Sequence, residues 1–288
     1  MMAEAQARVA VVTGASSGIG KALAKGLASQ GWRIIGTGRD IARTVAAEQE
    51  IGAASSGAPV TMLRGDLSLL ADARRLAREI ATHTDRIDLL VNNAGGMTDR
   101  LVMTSEGLEA NFAVNHLGPF VLTEALLPLL RAAVAGAPAG AVRILNTASD
   151  ASEMIPGINL DDMQNLERFS PGLAYCTGKL ANILFARALA TRLAGEGIVA
   201  HAVHPGAVDF NFFSYAPVDT QERSRGIEKV TEEEGADTLL WLATAPEGGQ
   251  NSGGYWHKRQ LRAPNPVVDD PDLVARFWQA SEALVAGR

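Results

Sequence analysis

The chain has 288 residues, 47% hydrophobic and 20% charged, which is enough for a domain with a sizeable core. Its 32 acidic and 26 basic residues leave a net charge of −6, which argues against a nucleic-acid partner, because phosphate backbones are met by basic faces. The single cysteine, Cys176, excludes an internal disulfide and fits a reducing compartment.

Residues 1–8 lack the apolar core of a secretory signal, and no run reaches about 18 uninterrupted apolar residues. The expectation is a cytoplasmic protein without a membrane span. Arg8–Thr13 reads as a buried strand and Ile19–Gln30 as a helix. Between them lies Thr13-Gly14-Ala15-Ser16-Ser17-Gly18-Ile19-Gly20. Glycines at such a junction permit a tight turn and a close approach of backbone to a pyrophosphate. The helix N-terminus then offers free N–H groups and the positive end of its dipole. Gly14, Ser16, Ser17, Gly18, Ile19 and Gly20 are therefore candidate cofactor contacts.

Trp32–Thr37 is a second predicted strand, followed by a helix over Ile41–Ala54. Val60–Arg64 and Ile87–Asn92 are further strands, separated by a helix over Leu69–Thr82. A long helical region spans Ser105–Val134, and Val142–Thr147 is the fifth strand. Leu173–Leu193 is helical, Ile198–His204 is the sixth strand, and a tail helix falls within 265–288. Strands apolar on both faces and alternating with helices imply an α/β fold, a doubly wound parallel sheet of about seven strands in a three-layer sandwich. The alternation continues across the flexible turns at 53–58 and 135–141, so 1–288 is expected to be a single domain. Ligands of such sheets bind at the carboxyl ends of the strands, near the point where strand order reverses.

Residues 209–229 interrupt the pattern with a long connection carrying Phe210, Phe212, Phe213 and Tyr215. Such a loop reads either as a substrate lid or as aromatics packing the core or a subunit contact.

Tyr175 and Lys179 are four residues apart in a helical stretch and so share one face. A free tyrosine has a pKa of about 10 and is a poor base near neutrality. A neighbouring ammonium favours the phenolate, so such a pair can exchange a proton with an alcohol or a carbonyl.

Taken in order, the TGxxxGIG loop, Asp66-Leu67, Asn92-Asn93-Ala94-Gly95, Ser149, the Tyr175/Lys179 pair and His204-Pro205-Gly206-Ala207-Val208 resemble the short-chain dehydrogenase/reductase family. The resemblance runs from Val9 to about Pro264. It is nearest the retinol-dehydrogenase-like branch, on VNHLGPF, HPGAV and the long insertion between Ser149 and Tyr175. It implies a Rossmann-type fold and catalytic roles for Asn115, Ser149, Tyr175 and Lys179. Tyr175 would be the acid/base, Lys179 would also hold the nicotinamide ribose, Ser149 would bond the substrate oxygen, and Asn115 would anchor a water. Asn111 is the rival for that last role. The resemblance also implies cofactor contacts at Asp66, Leu67, Asn93, Ala94, Gly95, Pro205, Gly206 and Val208, and no metal. His204 reads as a strand-end residue rather than an acid. Two positions depart from the family: Gly178 stands where many relatives have Ser, and Phe210 where relatives often have Thr.

At the end of the second strand, Gly38 occupies the place of an NAD-selecting aspartate. Arg39 follows and could fork onto a 2′-phosphate, with Ser16 adding a hydroxyl. Asp40 competes: it either binds the ribose, favouring NAD(H), or caps the helix from Ile41. NADP(H) is the preferred cofactor, with NAD(H) the alternative.

Met154, Ile155, Pro156, Ile158, Leu160, Met163 and Phe169 could roof an apolar cleft, or cover the core or a dimer surface. The expected activity is interconversion of a carbonyl and an alcohol on a medium-sized lipophilic small molecule. A non-catalytic nucleotide-binding regulator and a lyase or epimerase on the same scaffold are the rival readings. Family habit implies a homodimer or homotetramer.

Overall fold

The computed structural model describes residues 7–208, 222, 226 and 229–288. Among them the strands are β1 (Val9–Val12), β2 (Arg33–Gly38), β3 (Val60–Arg64), β4 (Leu89–Asn92), β5 (Val142–Thr147), β6 (Ile198–Val203), β7 (Tyr255–His257) and β8 (Gln260–Leu261). They form one sheet in the order β3-β2-β1-β4-β5-β6-β7-β8. The first seven run parallel, and β8 returns antiparallel on β7. The expected seven strands are thus joined by an eighth. The β7–β8 turn holds Lys258 and Arg259 at φ 48° and 61°, two successive left-handed residues as a tight two-residue hairpin requires.

The helices are α1 (Gly18–Ser29), α2 (Ile41–Ala54), α3 (Leu70–His83), α4 (Ala110–Phe112), α5 (Gly118–Val134), α6 (Pro171–Arg192), α7 (Glu232–Thr244) and α8 (Pro271–Val285). Successive strand residues point to opposite faces, so Val9 and Val11 serve one core while Ala10 and Val12 serve the other. The first core takes its helical residues from α3, α4, α5, α6 and α8 and from the turn joining α4 to α5, and the second from α1, α2 and α7. This is the three-layer α/β architecture read from the alternation.

The expected helical region 105–134 begins only at Ala110, and a π-helical turn over Ala113–Leu117 joins α4 to α5. The stretch Ala110–Val134 has the length and apolarity to cross a bilayer, but 61% of its most apolar window is buried in the fold, as in a core helix. The predicted tail helix is α8, capped by Asp270 with Pro271 at its first turn. It sets Phe277 and Trp278 into an aromatic cluster with His116, Phe120 and Phe185. The aromatic residues expected to form a lid, Phe210, Phe212, Phe213 and Tyr215, lie outside the described residues.

Candidate active site at the carboxyl ends of the strands

Strand order reverses between β1 and β4, and the residues singled out in the sequence gather there. The turn from β1 to α1 places Gly14 and Gly18 at φ 67° and 59°. It is drawn tight: a Cβ on Gly20 would come within 2.4 Å of the Gly14 carbonyl oxygen and 2.5 Å of Asn93 Nδ2. Ser17 at the helix N-cap places no side-chain oxygen on the N–H groups of the first turn, which holds no acidic residue. A Gly-lined turn ending in uncapped N–H groups fits a phosphate.

Thr13 and Asn93 bind this turn to β4. The Thr13 hydroxyl donates to the Val91 carbonyl (3.1 Å) and accepts from the Asn93 and Ala94 amides (2.9 and 3.0 Å). Asn93 Nδ2 donates back to the Thr13 carbonyl at 3.0 Å. Asn92 donates to Thr123 and to Asn146, tying β4 to α5 and β5. Asp66 accepts from the backbone and hydroxyl of Ser68 at 2.9 and 2.7 Å, and Leu67 is buried against the first core.

The end of β2 separates the two readings of Asp40. Its carboxylate accepts from the Arg43 amide at 2.9 Å and lies 3.7 Å from the Arg43 guanidinium, so it caps α2. That hydrogen bond holds its pKa below the usual value. A Cβ on Gly38 would meet Thr44 Oγ1 at 2.4 Å and Ser16 Cβ at 2.8 Å, so Gly38 has no room for an aspartate. Arg39 is exposed beside it. The β2–β3 register sets Arg64 opposite Gly38, adding a cation that sequence reading had not singled out. Strand register was the missing signal.

Ser149 follows β5 and caps the short 3-10 turn Asp150–Met154, accepting from the Ala151 amide at 3.2 Å. Its hydroxyl is hydrogen-bonded to Tyr175. The half-buried Tyr175 and the buried Lys179 both project from α6, with the Lys179 ammonium 5.6 Å from the Tyr175 ring centre. Lys179 Nζ donates to the Thr147 carbonyl at 3.2 Å, an oxygen shared with Asn182 Nδ2 at 2.9 Å. Burial lowers the Lys179 pKa to about 8. Burial also raises Tyr175 above its ordinary value, and the Ser149 bond only partly opposes it. The direction is thus opposite to the lowering expected from the lysine alone, because desolvation of the phenolate outweighs its protein neighbours.

Asn115 sits inside the π-helical turn. Its Nδ2 donates to the Asn111 and Gly96 carbonyls, both at 2.8 Å, and its buried Oδ1 has no hydrogen-bond partner among the described residues. That oxygen and Lys179 Nζ both border Gly95, at 2.6 and 3.2 Å from a Cβ placed there. The rival, Asn111, is engaged elsewhere: its side chain bonds Thr98 at both ends and the Glu109 carboxylate. Gly178 lies against Asn115.

His204 ends β6 as a buried residue. Its Nδ1 accepts from the Asp150 amide at 3.3 Å, and burial lowers its pKa to about 4. Gly206 adopts φ 91°, and Val208 pairs with Val230 and packs on Gly235, which Ile19 also borders. Pro205 stands beside His204 at the mouth. Phe210 lies outside the described residues.

Of the two readings of the insertion, part goes to the core: Met163 is buried in the first core and Ile155, Ile158 and Leu160 pack partly buried against it, while Met154 and Pro156 are exposed and Phe169 is half-buried. Asn265 accounts for this by donating to the Ser152 and Ile155 carbonyls at 3.0 and 2.8 Å, which clamps the insertion to the chain before α8.

A family model described as short chain dehydrogenase matches residues 8–219. Human retinol dehydrogenase 12 is 36% identical over 282 residues, covering 98% of this chain and 87% of that one. A relative from Streptomyces sp. (strain C5) that carries the name of a daunorubicin C-13 ketoreductase is 36% identical over 279 residues, covering 96% and 92%. The Pseudomonas aeruginosa RhlG/NADP active-site complex superposes with a TM-score of 0.70 at 28% identity, covering 88% and 96%.

Proposed function

The chain belongs to the short-chain dehydrogenase family, in its retinol-dehydrogenase-like branch, which makes it an oxidoreductase acting on CH–OH groups, and we propose that it uses NADP(H), with Tyr175 as the acid/base. The observation that carries the catalytic reading is the hydrogen bond between Ser149 and Tyr175 beside the Lys179 ammonium. When bound, the cofactor supplies or accepts the hydride, and in its oxidised form its positive ring favours the phenolate. The chain's residues handle the proton. Tyr175, kept protonated by burial, donates its phenolic proton to a carbonyl oxygen during reduction. Ser149 orients that oxygen beside the phenol. Lys179 holds the ribose hydroxyls, and Asn115 Oδ1 takes the water that resupplies the proton.

NADP(H) is favoured because Gly38 admits no acid, Asp40 is spent on its helix, and Arg39 with Arg64 leaves the end of β2 cationic. Gly14, Ser16, Ser17, Gly18, Ile19 and Gly20 would cradle the pyrophosphate side. Asp66, Leu67, Asn93, Ala94 and Gly95 would line the adenosine side, and Pro205, Gly206 and Val208 would pass the nicotinamide. A cytoplasmic, self-associating enzyme acting on a medium-sized carbonyl or alcohol completes the reading.

Tyr175→Phe tests it. Turnover of a panel of aldehydes, ketones and alcohols, followed by nicotinamide absorbance, should fall at least about a hundredfold, the scale of acid–base catalysis. NADPH binding, read by fluorescence, should be retained. Retained turnover would reject Tyr175 as the acid/base.

A further inference from the structure

Asp150 stands at the mouth of the site with a charge that nothing described around it neutralises. Its side chain is 53% exposed. The Ser149 hydroxyl lies 3.3 Å from its Oδ1. His204 Nε2 lies 3.4 Å from Oδ2, but burial keeps that ring neutral near pH 7. The nearby cation is already engaged, since Arg262 grips Glu153 through two bonds of 2.9 Å. Asp150, Glu153, Arg262 and neutral His204 together carry one net negative charge. That charge is felt at the reacting Tyr175, whose pKa Asp150 acts to raise.

Resting on the reading of the site as an oxidoreductase, we propose that Asp150 is a specificity residue, and that the substrate carries a cationic amine or ammonium group near its reducible carbonyl. The carboxylate adjoins the Ser149 hydroxyl that binds the carbonyl oxygen, so a positive group up to about six bonds from that carbon, the width of one ring, falls within its field. The same short turn carries Asp150 at one end and the exposed Met154 at the other, so a cationic group with an apolar body finds both features on this side of the mouth. A bound ammonium would also draw the carboxylate away from Ser149, freeing the Ser149 proton for the carbonyl oxygen; that hydroxyl has one proton to give.

Two aldehydes of the same shape test this: para-(trimethylammoniomethyl)benzaldehyde and its neutral carbon isostere, para-neopentylbenzaldehyde. The quantity read is the ratio of their kcat/KM values in the wild type, Asp150→Asn and Asp150→Lys, which cancels intrinsic reactivity and any general loss in a variant. The wild-type ratio should exceed that of Asp150→Asn by about three- to thirtyfold, the range between exposed pairs and charged hydrogen bonds. It should fall further in Asp150→Lys and shrink as salt is raised. A ratio unchanged by Asp150→Asn, with both aldehydes slowed alike, would make Asp150 only a support for Ser149 and overturn the proposal. Failure of the wild type to turn over either aldehyde with NADPH or NADH would instead overturn the reading of the reaction, and the inference with it.

Discussion

A Cβ placed on Gly178 would stand 3.1 Å from the Cβ of Asn115, so α6 and the π-helical turn meet closely only because residue 178 has no side chain. The departure from the serine of many relatives thus has a local physical reason. Gly178→Ala should raise helix propensity by about 1 kcal/mol while pushing Asn115 back by a few tenths of an ångström. The expected outcome is a melting temperature equal to or above wild type, with kcat reduced about two- to tenfold and a smaller change in KM. Unchanged kcat would show that the placement of Asn115 does not matter.

Arg39 and Asp40 have separable roles. Arg39→Ala should weaken NADPH binding by about tenfold or more, the scale of a charged hydrogen bond, and leave NADH nearly unaffected. Asp40→Ala should lower stability by about 1 kcal/mol through loss of its cap, with the NADPH-to-NADH preference unchanged. Isothermal titration with both cofactors and urea unfolding check the pair. A shift of preference in Asp40→Ala would reassign Asp40 to the ribose.

Lys179 is buried with its pKa lowered to about 8. Its charge is complete well below that pH and is lost as pH rises through it. NADPH affinity should therefore decline with a midpoint near pH 8 in the wild type, and Lys179→Met should bind more weakly with no transition there. Fluorescence titration across that range reads both.

The buried histidines make the fold sensitive to acid. Burial lowers His116 to about 3 and His201 and His204 to about 4, from an ordinary 6.5. Below about pH 6.5 the unfolded chain gains protons that the folded chain refuses, so stability falls with falling pH. The slope is about 1.4 kcal/mol per pH unit for each histidine. Urea unfolding between about pH 6.5 and about pH 5, above the carboxylate range, should show a total slope that steepens from about 2 towards about 4 kcal/mol per unit as the unfolded histidines fill with protons. His116→Phe, whose ring suits neighbours Phe112, Phe120 and Phe277, should reduce the slope by about a third.

The strands from β1 to β6 were legible because each is an apolar run bounded by turn residues, and their alternation with helices determines the topology. β7 was not, being three residues whose strand state comes from pairing with β6. α7 announces itself through a Thr231/Glu234 capping box that the reading passed over. At the site, the residue types and their spacing pointed to the strand ends where the structure brings those residues together. Electrostatics did not follow from spacing: the direction of the Tyr175 shift depends on desolvation, which no sequence interval encodes. The insertion stayed open between a roof and the core for the same reason. Ile155 and Leu160 look alike whether they face a ligand or the core, and the Asn265 clamp that decides it comes from about a hundred residues downstream.

The Thr147 carbonyl has a thermodynamic consequence. By accepting from Lys179 Nζ and Asn182 together, it immobilises the long lysine chain during folding rather than at the moment of ligand encounter. Freezing such a chain costs about 1.5–2 kcal/mol of rotamer entropy. Calorimetry of dinucleotide association should consequently register a smaller entropic loss than a dangling lysine would impose, and Asn182→Ala should enlarge it.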